Sequence, residues 1–386
     1  MSQKSESLNL IKFFVRTLLI TSLIGGIFLV IYYFYIYIPS HPKEPIVSGN
    51  FPSTVAWIFS GDDIVASTPV TDGNNIFIRT ANSIYALDGR TGEVLWKTNS
   101  QAIGNSEESI PVMSPQIKDS YLIVPETGSR ISVFSAESGK LIWKSQRPKY
   151  AHAHIESIAV NNKMIYVARW DWELTAYELE TGDIIWRKDI SGRSNPYIVA
   201  DENSVYVGQE HLSQSFDAVS GISQWKLDFG GYSGPLVLSD GILYITDEET
   251  SSILAVDTST QATLWERSYP QLETFELNCL VLSDDVLYLA AKQLVAISKI
   301  DGNTLWTSSN TGRLECPSIS SNSIYTRNTE QTLYKLDISS GNEMGQLYVQ
   351  VNTPMKHEPD RSPILFENLL IVPFGDSRVF AYLINE

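Results

Sequence analysis

The chain has 386 residues, 43% hydrophobic and 19% charged, an ordinary globular balance with enough apolar material for one large β-domain or two average domains. Its 44 Asp and Glu outweigh 28 Lys and Arg, and a net charge of −16 repels a phosphate backbone, which argues against nucleic acid as a partner. Only two cysteines occur, Cys279 and Cys316, which excludes a disulfide framework and a cysteine-rich zinc site.

The first feature in chain order is residues 17–38, 22 residues without a charged side chain. At about 1.5 Å per residue the run is long enough to cross a bilayer core of about 30 Å. Tyr32, Tyr33, Tyr35 and Tyr37 crowd its end, where amphipathic rings favour the headgroup region. Lys4, Lys12 and Arg16 precede it and only Lys43 closely follows. This bias predicts a single-pass signal anchor in the inner (cytoplasmic) membrane, with residues 1–16 in the cytoplasm and the bulk of the chain outside. A cleaved signal peptide is the rival reading, but its apolar region would be about 7–15 residues and end in a small-residue cleavage site. No cysteine lies nearby to carry a lipid. Residues 39–52, with Pro39, Pro42, Pro45 and Pro52, read as a short stiff linker.

From residue 53 to 386 the chain repeats. Trp57, Trp96, Trp143, Trp186, Trp225, Trp265 and Trp306 are separated by 39, 47, 43, 39, 40 and 41 residues, the period of a four-stranded propeller blade. Four residues before most of them stands a glycine: Gly92, Gly139, Gly182, Gly221 and Gly302. Gln261 takes that place before Trp265, and a further copy keeps Asp337 and Gly341 but has Gly345 instead of Trp. The first unit shows the pattern: alternating Ile76, Phe77, Ile78 and Ile84, Tyr85, Ala86 read as strands, Asp88 caps the following turn and Gly92 supplies its positive φ. The tryptophans are expected to be structural, each packed near a small residue of a neighbouring blade.

Eight strand starts can be counted, the last unit stops after three strands, and Trp57 precedes any unit of its own. The reading is therefore an all-β, eight-bladed propeller of four-stranded antiparallel blades. The N-terminal strand closes the last blade, and one transmembrane helix precedes the ring. Seven blades is the fallback if one weak unit is not a blade.

The best preserved copy, Ala86, Asp88, Gly92 and Trp96, gives the pattern A-x-D-x-x-x-G-x-x-x-W, with partial copies at Ala176/Gly182/Trp186, Asp217/Gly221/Trp225 and Ala255/Asp257/Trp265. This resembles the tryptophan-docking motif of the quinoprotein (PQQ-like) β-propeller superfamily. The resemblance implies one of two branches. One is dehydrogenases that bind pyrroloquinoline quinone and calcium; the other is cofactor-free scaffolds of the BamB type, which serve outer-membrane protein assembly. Cofactor-binding members carry an adjacent Cys–Cys pair, whereas Cys279 and Cys316 are far apart in sequence, so PQQ and calcium are disfavoured and no cofactor is expected. Cys279 and Cys316 precede equivalent strands of consecutive units and are either bridged or two buried thiols.

The irregular residues fall on one face, the upper one, formed by the connections between units and between second and third strands. They are mostly acidic: Glu107 and Glu108; Glu210; Asp247, Glu248 and Glu249; His357, Glu358 and Asp360. Tyr150, Trp170, Asp171, Trp172 and Glu173 are the partner-binding candidates, because Trp170 and Trp172 lie off the repeat register and exposed Trp is enriched at binding hot spots. His152, His154 and His211 are weak metal candidates. No nucleophile elbow or nucleotide fingerprint occurs. The function expected is a membrane-anchored, non-catalytic scaffold whose upper face engages a protein or envelope component. The alternatives are a membrane-anchored PQQ-dependent oxidoreductase and a glycan-binding module using Trp170 and Trp172.

Overall fold

The computed structural model describes residues 45–100, 113–148, 154–190, 196–270, 272, 279–309, 312–348, 361–374 and 376–384. Residues 46–349 and 355–386 form one compact unit, which carries all the strands below. The first repeat shows how each unit folds. Val70–Thr71, Asn75–Arg79, Ser83–Asp88 and Val94–Asn99 pair in sequence order, antiparallel throughout. Side chains alternate across the sheet: Ile76 and Ile78 pack toward the last sheet of the chain, Phe77 toward the second. Hydrophobic burial therefore lies in the seams between consecutive sheets rather than in one central mass.

The motif is the device that closes each seam. Trp96 stands opposite Ala86 in its own sheet, and the same pairing recurs as Ala176↔Trp186, Ala255↔Trp265 and Ala296↔Trp306. Each indole then reaches the next unit. Trp57, Trp96, Trp143, Trp186, Trp265 and Trp306 donate their Nε1–H to the carbonyls of Gly89, Ala136, Leu179, Ala218, Lys299 and Ile338, at 2.8–3.1 Å. The ring lies on the glycine of that next unit, where a Cβ would fall 2.3–2.6 Å from an indole carbon. The same glycine has positive φ, as at Gly92 (72°) and Gly182 (76°), so two separate requirements exclude a side chain there. Asp88 accepts the backbone N–H groups of Arg90 and Thr91, holding the turn that presents the docking carbonyl.

One expectation is corrected, and a second falls outside the described residues. The strands assemble into seven hydrogen-bonded sheets, not eight separate four-stranded blades: five sheets have four strands, one has five and one has six. The six-stranded sheet carries the units of both Trp225 and Trp265. In it the 14-residue strand Ser204–Asp217 and the 17-residue strand Ser223–Ser239 run on where turns would separate the strands, and they pair through Glu210↔Tyr232 and Leu212↔Asp228. Counted as continuous sheets, the propeller thus has seven blades. As for the expected transmembrane helix, no helix among the described residues is long and apolar enough to cross a membrane. Residues 17–38 lie outside them.

Both ends of the compact unit meet in one sheet, where Val55–Ser60 pairs with Arg378–Leu383. Part of the expected linker belongs to the propeller as well: Ile46–Gly49 adds a fifth strand to Glu343–Tyr348. Here Gly345 replaces the repeat's Trp, and its missing side chain admits the backbone of Ser48, Asn50 and Phe51, whose atoms would lie 2.5–2.8 Å from a Cβ. Phe51 is buried, with ring centroids 6.1 Å from Tyr325 and 6.3 Å from Tyr382. In other units the ring at the place of Tyr325 packs on the docking Trp, as Tyr288 does on Trp306 at 5.9 Å. Phe51 supplies the aromatic group that the repeat lacks there.

Candidate functional site: the upper loop face

Trp170 and Trp172 sit at the tip of the hairpin between Met164–Arg169 and Glu173–Glu178. A tight turn places them there: the Trp172 N–H donates to Arg169 O, and Trp172 adopts φ +62°. The two indoles are 53% and 39% exposed, with centroids 6.5 Å apart and planes inclined by 30°. They present a two-ring surface instead of filling a seam. Beneath them Arg169 is fully buried, donating to Thr175 Oγ1 and Tyr177 Oη and pairing with Glu173, which also faces Arg187. This network fixes the hairpin base. Burial pushes the Asp171 carboxyl up, against a hydrogen bond from the Glu173 backbone N–H.

The histidines do different work. His154 is exposed, and its carbonyl accepts the Trp170 N–H, which ties it to the aromatic hairpin. His211 lies in the continuous strand of the six-stranded sheet at φ +60°; its Nδ1–H donates to Gly230 O at 2.6 Å, and its ring lies 5.5 Å from Tyr232. No group of three or more His, Cys, Asp or Glu that could hold a metal occurs among the described residues. His152 and Tyr150 lie outside those residues, as do Glu107, Glu108, His357, Glu358 and Asp360.

Sequence reasoning missed a set of buried charges near the upper ends of the second strands: Arg79, Glu126, Arg169 and Arg327 are all 3% exposed or less. Glu126 pairs with Lys144, and Arg327 donates to Pro373 O of the closing sheet. Burial pulls Arg79 down to about 10, with the Glu126 charge opposing it. Glu248 is pushed up to about 7, chiefly by burial; Arg313 opposes this and Asp247 adds to it. Burial also raises Glu156. It takes Tyr197 to about 12, with the charges of Glu248 and Glu156 contributing. The only cue in the sequence was a polar residue ending an apolar strand, which reads equally well as a strand terminus. Cys279 and Cys316 are joined by a disulfide, with Cα atoms 5.3 Å apart, linking consecutive sheets.

The repeated docking of indole on glycine, a closing strand and loops gathered on one face invite comparison with known proteins. The family of the outer membrane protein assembly factor BamB (PQQ_2) matches residues 51–267 and 275–386. The chain belongs to the BamB family. The outer membrane protein assembly factor BamB of Yersinia pestis is 25% identical over 233 residues, 56% of this chain and 57% of that one, so the chain spans little more than half of that relative's length. The crystal structure of BamB from Moraxella catarrhalis aligns with a TM-score of 0.61 at 14% identity, covering 88% of this chain and all of that one. A quinohemoprotein alcohol dehydrogenase from Pseudomonas putida aligns with a TM-score of 0.63 at 11% identity, covering 86% of this chain and 76% of the enzyme. BamB-family membership and the quinoprotein-like fold therefore coexist, and the latter likeness concerns the fold alone.

Proposed function

We propose that this protein is a non-catalytic scaffold in envelope protein assembly, engaging a protein partner through its upper loop face. The observation that carries the reading is the exposed Trp170/Trp172 pair, held on a rigid hairpin by the buried Arg169 network. Large flat side chains already fixed in place lose little entropy on binding and supply hot-spot area. Family membership supports the assembly context, and the apolar run at 17–38 supports attachment to a membrane. Carbonate extraction of membranes tests the attachment: release of the protein into the soluble fraction contradicts it.

No cofactor is part of this reading. Reconstitution with pyrroloquinoline quinone and calcium is expected to give no bound quinone absorbance and no dye reduction; stoichiometric binding with turnover would replace the scaffold by an oxidoreductase. For the partner face, Trp172→Ala is expected to lose the protein crosslinks formed in native membranes while keeping the wild-type unfolding midpoint. Retention of the same crosslinks would move the interface elsewhere.

A further inference from the structure

The seam between the Trp225 and Trp265 units departs from the others. Six docking indoles rest on a glycine and donate to a carbonyl of the next unit. At the seventh, the glycine position is Gln261, with φ +64°, so a Cβ stands where the other seams have room for none. Trp225 stays buried at 8% exposure and packs on Tyr206 at 5.9 Å, yet among the described residues its Nε1–H has no hydrogen-bond partner. The displaced docking leaves a cleft of about 410 Å³, lined by Trp225, Gln261, Gln224, Asn203, Asp201 and Tyr206 among others. That volume lies in the range of small-molecule sites.

We infer that this cleft binds a neutral, hydroxyl-rich ligand the size of a mono- or disaccharide. Among the lining groups, Gln224 and Trp225 offer donors. Gln224 Oε1 already accepts from Ser204 Oγ (2.9 Å) and Ser215 Oγ (2.6 Å), which turns its amide NH₂ outward as a donor beside the Trp225 N–H. Asp201 is not an open carboxylate: Oδ1 accepts from the N–H groups of Asn203 and Ser204, both at 2.8 Å, and Oδ2 from Tyr206 Oη at 3.4 Å. An anion meets the charge of Asp201, with Glu202 beside it and Asp257 next to the lining residue Thr258 in sequence. A ligand that accepts through hydroxyl oxygens and carries no charge pairs with the indole N–H, which the protein leaves open to solvent.

Ligand-observed NMR titration of the whole protein with glucose, maltose and N-acetylglucosamine tests this, with N-acetyl-alanyl-alanine amide as the peptide comparison. At least one saccharide is expected to bind. Trp225→Phe, which keeps a packed ring but removes the N–H, is expected to weaken binding by about tenfold or more. Gln261→Gly is expected to abolish binding while raising the unfolding midpoint, because glycine restores the docked geometry and closes the cleft. The second variant keeps the test valid if the first folds poorly. Three outcomes overturn the inference: no saccharide binds, only the peptide binds, or both variants bind saccharide as the wild type does.

Discussion

Gly221→Ala probes the docking device most sharply. Gly221 has φ +65°, and a Cβ there would lie 2.6 Å from Cδ2 of Trp186, which donates to Ala218 O at 3.1 Å. Three costs add. An L-residue at this φ costs about 1 kcal/mol. Forcing the ring back to ordinary contact costs about 1–3 kcal/mol as overpacking. Losing the indole hydrogen bond costs about 1 kcal/mol. The sum, about 3–5 kcal/mol, does not exceed the roughly 4–6 kcal/mol at stake in burying one indole of 150–250 Å². Urea denaturation followed by tryptophan fluorescence reads the change in midpoint. Gly73→Ala is the control: φ is +92° with nothing within 4 Å of the added Cβ, so only the conformational cost of about 1 kcal/mol applies. Equal effects of the two substitutions would refute the steric part of the reasoning.

Three further outcomes follow from the same geometry. Phe51→Ala empties the position that replaces the missing Trp and should cost about 3–5 kcal/mol, with faster amide exchange at 46–49 and 343–348 by mass spectrometry; unchanged exchange would contradict the stapling role. Cys316→Ser opens a link across a sequence separation of 37 and should cost about 2–4 kcal/mol, an effect that vanishes when both proteins are measured in reductant. Glu248 is raised from 4.5 to about 7 on folding, so its stabilising contribution is complete below pH 4.5 and is lost as pH rises through 7. At full burial the shift corresponds to about 3 kcal/mol, which its partial exposure reduces to about 1–2 kcal/mol. Glu248→Gln should therefore flatten the fall in unfolding midpoint between pH 5 and 8, and an unaltered slope would count against the assignment.

Much of the architecture was legible because the docking contact is local in two places at once. A Trp at the end of one unit and a Gly four residues before the next one's Trp mark the two halves of each seam. The reading failed where partners come from outside the repeat. Phe51 lies in a proline-rich stretch that looks like linker, and only Gly345 in the Trp position hints that a foreign ring must fill the gap. The blade count failed because Ser223–Ser239 runs on from the last strand of the Trp225 unit into the first strand of the Trp265 unit, while His211, in a left-handed conformation, lies inside the continuous strand Ser204–Asp217. On the upper face, the aromatic pair was visible as Trp off the repeat register. The buried Arg79, Arg169 and Arg327 were not, since a charged residue ending an apolar strand is ordinarily solvated.

The central claim is that the upper face of a BamB-family propeller meets a protein partner. A photo-crosslinking residue at position 172, compared with one at Ser339 on a turn between third and fourth strands, tests it in native membranes. A discrete adduct from position 172, identified by mass spectrometry as an envelope assembly component and absent from position 339, is the result predicted. Adducts from position 339 alone, or none from 172 in folded protein, would contradict it.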